Sequence, residues 1–480
     1  MHSLDNLALS RQGQVREDGR VRTDRLADLL SPWLTGGPAY AGVAAGVRGL
    51  ALDGRLAVGT RVPSERQLAL ALGVSRTTVS AAYDVLRGEG YLVSAAGAGS
   101  RVTLPASAPV RPDADPGEPA VVQDLTVAAA PAPAQLLDAV AAATTDLRPL
   151  LGGHGLHPFG LPALRAAVAG HLTRRGLPTE PEQVLVTNGA LAGWDLLLRT
   201  VTGPGQRAVV EQPTYAAALD AVAAAHLRPV RLPVSAEGWD LPVAAADVAL
   251  VTPDGQNPTG LLADDRARRA LLSALDAPVV AADETFADLV LEGERPTPMA
   301  LLDRRVVTLG SMSKSFWSGL RVGWVRADPP LLARLAQARG TVDLSSPVLE
   351  QLVAARLLAV ADEVLADRVA WLTGARDAML AALADQLPGW RVVRPRAGAM
   401  LWAQLPGLSS TRLAAHALDL GLRLTPGPRF TVDGTADRWL RLPLSVPADQ
   451  AAEVVALLAA AAERTASGAD SRRTPSRWTA

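Results

Sequence analysis

Lys314 is the only lysine in this chain of 480 residues. A primary amine can lose its proton and form an imine with a carbonyl compound, whereas the guanidinium of an arginine cannot. The segment around it, GSMSKSFWSGLRVGWV, also offers the hydroxyls of Ser311 and Ser313 and the guanidinium of Arg321. A phosphorylated aldehyde needs these groups together, the amine for the imine and the others for the phosphate. The pattern therefore predicts a site for such a cofactor; the alternative is a surface loop that leads into a helix.

Four other segments offer groups that such a cofactor would use. Asp283 follows an apolar strand, where a carboxylate is costly unless it has a cationic partner such as a protonated pyridine nitrogen. In VLVTNGALAGWDLL, the amides of Gly189 and Ala190 begin a helix and can face an anion. Tyr215 in VEQPTY can stack on a flat heterocycle, and Asn257 in GQNPTG offers a donor in a turn. Each segment taken alone is also compatible with core packing or with a common turn.

The elements that must position these groups lie between residues 124 and 466, where short β-rich runs alternate with alanine- and leucine-rich helical patterns. Strand–helix alternation on this scale predicts an α/β fold with a mainly parallel sheet. The predicted strands include Gln183–Thr187, Ala208–Glu211, Val248–Thr252, Val279–Ala282 and Val306–Leu309. The predicted helices include Leu191–Thr200 and Arg266–Leu275.

A different pattern, of short helices and glycines, precedes this region. In PSERQLALALGVSRTTVSAAYDVLRGEGYL, Ser64 can cap a helix that runs to about Leu72, and a tight turn at Gly73 leads to a second helix. The residues predicted at the polar start of the second helix are Ser75, Arg76, Thr77 and Thr78. Its predicted buried face is Val79, Ala82, Tyr83 and Leu86. This arrangement is typical of a helix that enters the major groove of DNA.

The run GYLVSAAGAGSRVTL then predicts a two-stranded wing with Gly97 and Gly99 in its loop, and Arg101 beside the DNA backbone or minor groove. Seven arginines and four acidic residues between Val43 and Leu104 give a net charge of +3, which suits a small DNA-binding module. The alternative is a helical protein-interaction domain.

Composition predicts the remaining organisation and excludes several classes of protein. The predicted parts are an N-terminal extension at 1–20, a winged helix-turn-helix at 21–104, a proline-rich linker at 105–123, a large domain at 124–466 and a disordered tail at 467–480. The chain contains no cysteine, which excludes disulfides and thiolate metal sites, and no metal is expected. It shows neither a secretion signal nor an apolar run of membrane-spanning length, so we expect a cytoplasmic protein without a membrane partner.

The string GRLAVGTRVPSERQLALALGVSRTTVSAAYDVLRGEGYL resembles the N-terminal domain of GntR-type bacterial repressors across nearly its full length. That resemblance implies Arg66 and Arg76 as DNA contacts, with the wing tip at Gly97 and Gly99 in the minor groove. The motifs of residues 124 to 466, in their order, resemble the class I/II aminotransferase family of fold type I. A GntR-like head fused to such a body looks like the MocR group of regulators, which are dimers that bind DNA and sense pyridoxal phosphate or an amino compound.

The aminotransferase resemblance implies roles for the residues of the body. The fold would be a mainly parallel sheet with helices on both faces and a small C-terminal α+β lobe. Lys314 would form the Schiff base with pyridoxal phosphate, Asp283 would contact the pyridine nitrogen and Asn257 the ring hydroxyl, and Tyr215 would stack on the ring. The phosphate would lie on Ser311, Ser313 and Arg321. The amides of Gly189 and Ala190, predicted above to face an anion, complete the predicted cofactor contacts. Arg441, which taken alone is more typical of a solvated arginine, would hold the carboxylate of a substrate or effector.

Two departures from the aminotransferase pattern bear on activity. Thr285 and Phe286 stand where a tyrosine usually follows the pyridine aspartate, and LLGGHGLHPFG lacks the tyrosine that a partner subunit often supplies to the phosphate. We therefore expect a homodimeric regulator that binds an operator in double-stranded DNA and pyridoxal phosphate, with at most weak or partial transamination. The alternatives are a working aminotransferase with a secondary head and a dimerisation scaffold with a vestigial pocket.

Overall fold

A computed structural model of the protein describes residues 21–34, 38–52, 56, 59–95, 99–103 and 123–467. The predicted extension at 1–20, the predicted linker up to residue 122 and the predicted tail from residue 468 lie outside these ranges. Within the described ranges, none of the helices has the length and apolar character needed to cross a membrane.

The head, residues 21–103, contains the predicted helix-turn-helix. Its elements are, in chain order, α1 Thr23–Leu30, α2 Ala39–Leu52, α3 Glu65–Leu72, α4 Arg76–Gly88, β1 Leu92–Ala95 and β2 Gly99–Val102. Ser64 caps α3 in a reciprocal pair with Gln67, and Ser75 caps α4 by accepting from the backbone N–H of Thr78 at 3.0 Å. Gly73 ends α3 at φ 66°, a left-handed conformation that favours glycine. The predicted apolar face of α4 is buried: Val79, Ala82, Tyr83 and Leu86.

The predicted wing is present as the antiparallel pair β1 and β2, in which Ala95 pairs with Gly99. A neighbouring segment extends the wing, because the backbone N–H of Val62 donates to the carbonyl of Ser100 at 3.0 Å. Gly99 is thus the first residue of a strand, with φ 75°, whereas Gly97 lies outside the described residues.

The body is built around an eight-stranded sheet in the order β4-β13-β12-β11-β9-β5-β6-β7. The strands of the body are β3 Gln123–Asp124, β4 Val184–Thr187, β5 Arg207–Gln212, β6 Arg228–Ser235, β7 Gly238–Trp239, β8 Ala244–Ala245, β9 Val248–Val251, β10 Leu275–Asp276, β11 Val280–Asp283, β12 Val306–Ser311, β13 Gly323–Arg326, β14 Arg391–Val392, β15 Met400–Gln404, β16 Leu422–Arg423, β17 Thr425–Pro426 and β18 Trp439–Pro443. Strands β12, β11, β9, β5 and β6 form consecutive parallel pairs, whereas β13 is antiparallel to both of its neighbours and β7 to β6. The prediction of a mainly parallel sheet is confirmed.

Helices cover both faces of this sheet, as the aminotransferase resemblance implied. The helices of the body are α5 Leu136–Leu147, α6 Pro162–Arg174, α7 Ala190–Val201, α8 Ala216–Ala224, α9 Asp265–Ala274, α10 Met299–Leu302, α11 Met312–Ser315, α12 Pro329–Arg339, α13 Val348–Ala359, α14 Ala361–Gln386, α15 Ser410–Asp419 and α16 Ala451–Ala466. Val184 and Val186 of β4 belong to the core formed with α6 and α13, and Leu185 between them belongs to the core formed with α7 and α12. Because successive side chains of a strand point to opposite faces, an uninterrupted apolar strand requires two covered faces.

A smaller lobe contains the sheet β14-β15-β18-β17 with α14, α15 and α16. The lobe is not purely C-terminal, because β3, at the start of the body, pairs in parallel with β16 through Gln123 and Leu422. The polypeptide therefore passes through the lobe before it enters the large sheet. The carboxyl ends of β4, β5, β11 and β12 meet at one edge of that sheet, where parallel sheets usually bind ligands.

Candidate functional site

The predicted cofactor residues converge on one cavity of about 650 Å³. Strand β12 ends at Ser311 and continues directly into α11, which carries Lys314. All nine predicted cofactor residues line this cavity: Gly189, Ala190, Tyr215, Asn257, Asp283, Ser311, Ser313, Lys314 and Arg321. Residues from five separate strand ends and turns are thus brought around the only lysine of the chain.

The amine of Lys314 is prepared for chemistry at neutral pH. Burial, together with the nearby guanidinium groups of Arg441 and Arg321, lowers the pKa of Lys314 to about 8, against the opposing effect of the carboxylate of Asp283. An ordinary lysine titrates about two pH units higher. A substantial fraction of Lys314 is therefore neutral and nucleophilic near pH 8.

Asp283 ends β11 inside the cavity wall, and burial raises the pKa of its carboxyl group. Its Oδ1 accepts the backbone N–H of Thr285 at 3.0 Å, which partly offsets the cost of burial. In the ranges that the structure describes, no ion pair includes Asp283. A cationic ring nitrogen at this position would supply the missing partner and keep the carboxylate ionised.

A further group of lining residues has the features of a phosphate site. Gly189 caps the N-terminus of α7 with φ 95°, and the Nη2 of Arg321 donates to the carbonyl of Asn188 at 3.1 Å. A Cβ at residue 189 would lie 3.1 Å from that Nη2, so the glycine lets the guanidinium approach the helix N-terminus. The hydroxyls of Ser311 and Ser313 lie 3.0 Å apart on the facing turn. Amides, hydroxyls and a guanidinium together match a phosphate dianion.

Two further lining residues are those predicted to contact the ring of the cofactor: Tyr215, which is the N-cap residue of α8, and Asn257. The Oδ1 of Asn257 is buried and has no hydrogen-bond partner among the described residues. Thr285 and Phe286 line the cavity where the family pattern has a tyrosine, so this part of the wall provides no phenol.

Arg441 lies in β18 next to the cavity and is fully buried, so its interpretation as a solvated arginine is wrong. Its Nη2 donates to the carbonyl of Thr126, and its guanidinium carbon lies 5.0 Å from the centre of the Phe430 ring. Its Nε and Nη1 have no hydrogen-bond partner within the described part of the chain. Burial lowers the pKa of Arg441 to about 10. A buried guanidinium with unused donors is what a carboxylate ligand requires.

The residues of this cavity fit pyridoxal phosphate. The cavity contains an amine with a lowered pKa, a carboxylate that makes no ion pair with the described residues, and a glycine whose Cβ would crowd a guanidinium. Among the described residues, buried polar atoms of Asn257 and Arg441 have no hydrogen-bond partner, and a ligand can satisfy them.

The predicted DNA-contacting residues lie on the head. Arg66 and Arg76 line a groove of about 760 Å³ together with Gly99 of the wing, and Arg76 is largely exposed, with its Nε 3.4 Å from Glu65. The hydroxyls of Thr77 and Thr78 lie 2.7 and 2.8 Å from the capping hydroxyl of Ser75. The structure thus places Arg66 in α3 and the other predicted side chains at the N-terminus of α4, with the threonines partly engaged in capping.

Sequence reasoning missed several residues of both sites. Arg61 lines the groove of the head and lies against Gly99, where a Cβ would be 2.7 Å from its Nε. Ser318 and Arg429 line the lysine cavity, and the hydroxyl of Ser318 donates to the carbonyl of Ser313 at 2.8 Å. The string GTRVPSER could have suggested Arg61, since it lies within the GntR-like segment. The position of Arg429 depends on a contact between distant parts of the chain.

Two family models match the sequence. The model described as aminotransferase class I and II matches residues 131–458, and the model described as bacterial regulatory proteins, gntR family, matches residues 39–102. The first range covers more than half of the chain and contains every predicted residue of the lysine cavity. The second contains α3, α4 and the wing.

Similar proteins include regulators and enzymes. The chain is 32% identical to the pyridoxine biosynthesis transcriptional regulator PdxR of Corynebacterium glutamicum, over 63% of this chain and 68% of that protein. It is 32% identical to the probable rhizopine catabolism regulatory protein MocR of Rhizobium meliloti, over 58% of this chain and 63% of that protein. Among solved structures, the alpha-aminoadipate aminotransferase LysN of Thermus thermophilus aligns with a TM-score of 0.64 and 29% identity, over 71% of this chain and 93% of that one.

Proposed function

Because this chain belongs to the class I and II aminotransferase family and also contains a GntR-family domain, we propose that it is a MocR-type transcription regulator that depends on pyridoxal phosphate. The head binds an operator in double-stranded DNA, and the body senses the cofactor itself or a small amino compound. One observation supports this most strongly: eight cofactor-type residues line a cavity with the only lysine, in the same chain as a capped helix-turn-helix. The location we propose is the cytoplasm, because operator DNA is there.

In the body, each residue of the cavity has a proposed task. Lys314 holds the aldehyde carbon, and its lowered pKa provides the neutral amine that this needs. Asp283 keeps a proton on the pyridine nitrogen, which preserves the electron-withdrawing character that pyridoxal phosphate supplies when bound. Tyr215 packs on the ring and Asn257 orients it through its hydroxyl. The phosphate is bound by the amides of Gly189 and Ala190 with Ser311, Ser313 and Arg321.

In the head, α4 enters the major groove and the wing contacts the adjacent backbone or minor groove. We propose a homodimer, because two heads then contact two half-sites and gain affinity together. Exposed apolar side chains support this assembly, since they mark interaction surfaces. They include Leu137 of α5 and Leu349 of α13, two helices that pack together, and Leu151 and Leu156 nearby in the chain.

A working aminotransferase is the second candidate. The lowered pKa of Lys314 favours it, because an amine that titrates near neutrality can both accept and donate a proton. The cavity wall at Thr285 and Phe286 lacks the phenol that the family pattern places there. We therefore propose weak or partial transamination at most. Purified protein that completes transamination of an amino acid at ordinary enzyme rates would contradict this proposal.

DNA recognition can be tested by changing Arg76 after selecting the preferred duplex from a random pool with the full chain. If Arg76 contacts a base edge, Arg76→Ala weakens binding to the selected duplex by roughly 1–3 kcal/mol and changes a scrambled duplex little. Fluorescence anisotropy titrations at fixed salt measure both affinities. Arg199→Ala, an exposed arginine of α7 in the body, is the matched control and should bind as the unchanged protein does. An equal loss on both duplexes would instead assign Arg76 to the phosphate backbone.

A further inference from the structure

A buried carboxylate lies outside the cavity lining, behind the two segments that carry Tyr215 and Asn257. Glu211 is 1% exposed and lies one residue before the end of β5. Its Oε1 accepts the indole N–H of Trp239 at 2.6 Å. Its Oε2 accepts the backbone N–H of Thr252 and the side-chain amide of Gln256, both at 3.1 Å. Three donors, one from β7 and two from the segment that follows β9, therefore converge on one carboxylate.

Gln256 connects this carboxylate to the cavity wall. Its Nε2 donates to Glu211 and also to the carbonyl of Pro213 at 2.8 Å. Its Oε1 accepts the backbone N–H and the hydroxyl of Thr259, at 3.1 and 2.7 Å. The side-chain amide is fully buried, so its four hydrogen bonds hold it in one orientation. Pro213 lies two residues before Tyr215, and Gln256 directly precedes Asn257.

A carboxylate suits residue 211 because it only accepts hydrogen bonds. Glutamine has the same size, but its amide would place N–H groups against N–H groups and leave at least one buried donor unpaired. No ion pair within the described ranges includes Glu211, so the three donors compensate its charge. Burial raises the pKa of Glu211 to about 7, and these hydrogen bonds oppose the rise.

We propose that Glu211 and Gln256 are positioning residues that fix the spacing between the Tyr215 segment and the Asn257 turn. This spacing sets the affinity for pyridoxal phosphate and the pH at which the absorbance band of the bound cofactor changes. Neither side chain lines the cavity, so each acts through the backbone that it anchors. This inference rests on the cofactor site of the proposed function and adds two residues that the cofactor-binding motifs do not include.

The test compares Glu211→Gln and Gln256→Leu with the unchanged full chain. Each variant breaks the hydrogen-bonded link between the Tyr215 segment and the Asn257 turn, so each should bind pyridoxal phosphate about tenfold more weakly, a loss of roughly 1.4 kcal/mol of binding free energy. The pH midpoint of the absorbance band of the Lys314 imine should shift in both. The double variant should be little weaker than either single one, because the two residues act as one unit. Thermal unfolding of the apo-protein, measured in parallel, separates lost stability from lost positioning.

Trp239→Phe is the matched control, because it removes a donor from Glu211 but leaves the link to Gln256 in place. It should keep the affinity and the absorbance midpoint of the unchanged protein. If Glu211→Gln does not fold, the comparison of Gln256→Leu with Trp239→Phe still shows whether the link between the two segments sets the affinity and the midpoint. Affinity and midpoint equal to those of the unchanged protein in both variants, or an unaltered midpoint with only a lower unfolding temperature, would overturn the inference. Failure of the unchanged protein to bind pyridoxal phosphate would instead refute the proposed function itself.

Discussion

Lys314→Ala protein is expected to show no imine absorbance band after incubation with pyridoxal phosphate and removal of the unbound cofactor. The unchanged protein is expected to show this band, and borohydride should reduce the imine and so attach the cofactor permanently to Lys314. Because Lys314 is the only lysine, no other side-chain amine of the chain can replace it. The measurement is absorbance spectroscopy before and after borohydride, followed by mass spectrometry of the labelled peptide. The rate of cofactor capture by the unchanged protein should rise with pH and level off above about pH 8. The reason is that the neutral fraction of an amine with this pKa falls about tenfold per pH unit below it.

Lys314→Arg is the control for charge, because it keeps a cation in the cavity but cannot form an imine. Like Lys314→Ala, it should show no imine band once the unbound cofactor has been removed. The α-amine of the chain can also be labelled, and that background should be equal in all three proteins. An unchanged protein that shows no band, or a variant that is labelled inside the GSMSKSFW peptide, would contradict the role of Lys314.

Arg441→Met is expected to remove the preference of the cofactor-loaded protein for amines that carry a carboxylate. The useful probes are L-norleucine and pentylamine, which differ only by the carboxylate. In the unchanged protein norleucine should perturb the absorbance band at roughly 10- to 100-fold lower concentration, since hydrogen bonds to a charged group are each worth about 1.5–3 kcal/mol. In the variant the two probes should act at similar concentrations. Spectral titrations of both proteins measure the difference.

The stability of Arg441→Met provides the control. Arg441 is fully buried, and two of its donor atoms have no partner among the described residues, so replacing it by an apolar side chain should leave the apo-protein as stable or make it more stable. If Arg441→Met no longer distinguishes norleucine from pentylamine but is as stable as the unchanged protein, Arg441 has a ligand-binding role. Equal responses to norleucine and pentylamine in the unchanged protein would contradict the assignment of Arg441 to a carboxylate.

The structural features that could be predicted from the sequence are local or chemically distinctive. Ser64 and Ser75 begin helices because their hydroxyls accept from backbone N–H groups a few residues ahead, and such caps are visible in the sequence. The predicted strand and helix ends of the body agree with the structure to within two residues, because short apolar runs mark the strands and turn residues separate them from the helices. Lys314 stands out because an arginine-rich chain uses a single lysine.

What sequence could not predict depends on contacts between distant segments. Arg441 alone is typical of the surface, and only the packing of β18 against Phe430 and Thr126 shows that it is buried. The pairing of β3 with β16 joins residues about three hundred positions apart, and no local pattern encodes it. Glu211 lies in the segment VEQPTY, where the tyrosine attracts attention, yet its role depends on Trp239 and Gln256 meeting it in space.

We expect that pyridoxal phosphate bound in the lysine cavity changes the affinity of the head for DNA. The most direct measurement is the affinity of the full chain for its selected duplex, with and without saturating pyridoxal phosphate, compared between the unchanged protein and Lys314→Ala. Coupling between two sites is typically worth 1–3 kcal/mol, so we predict a change in affinity of about 5- to 150-fold in the unchanged protein and none in the variant. Identical affinities with and without the cofactor and with amines added, or the same change in Lys314→Ala, would contradict the account.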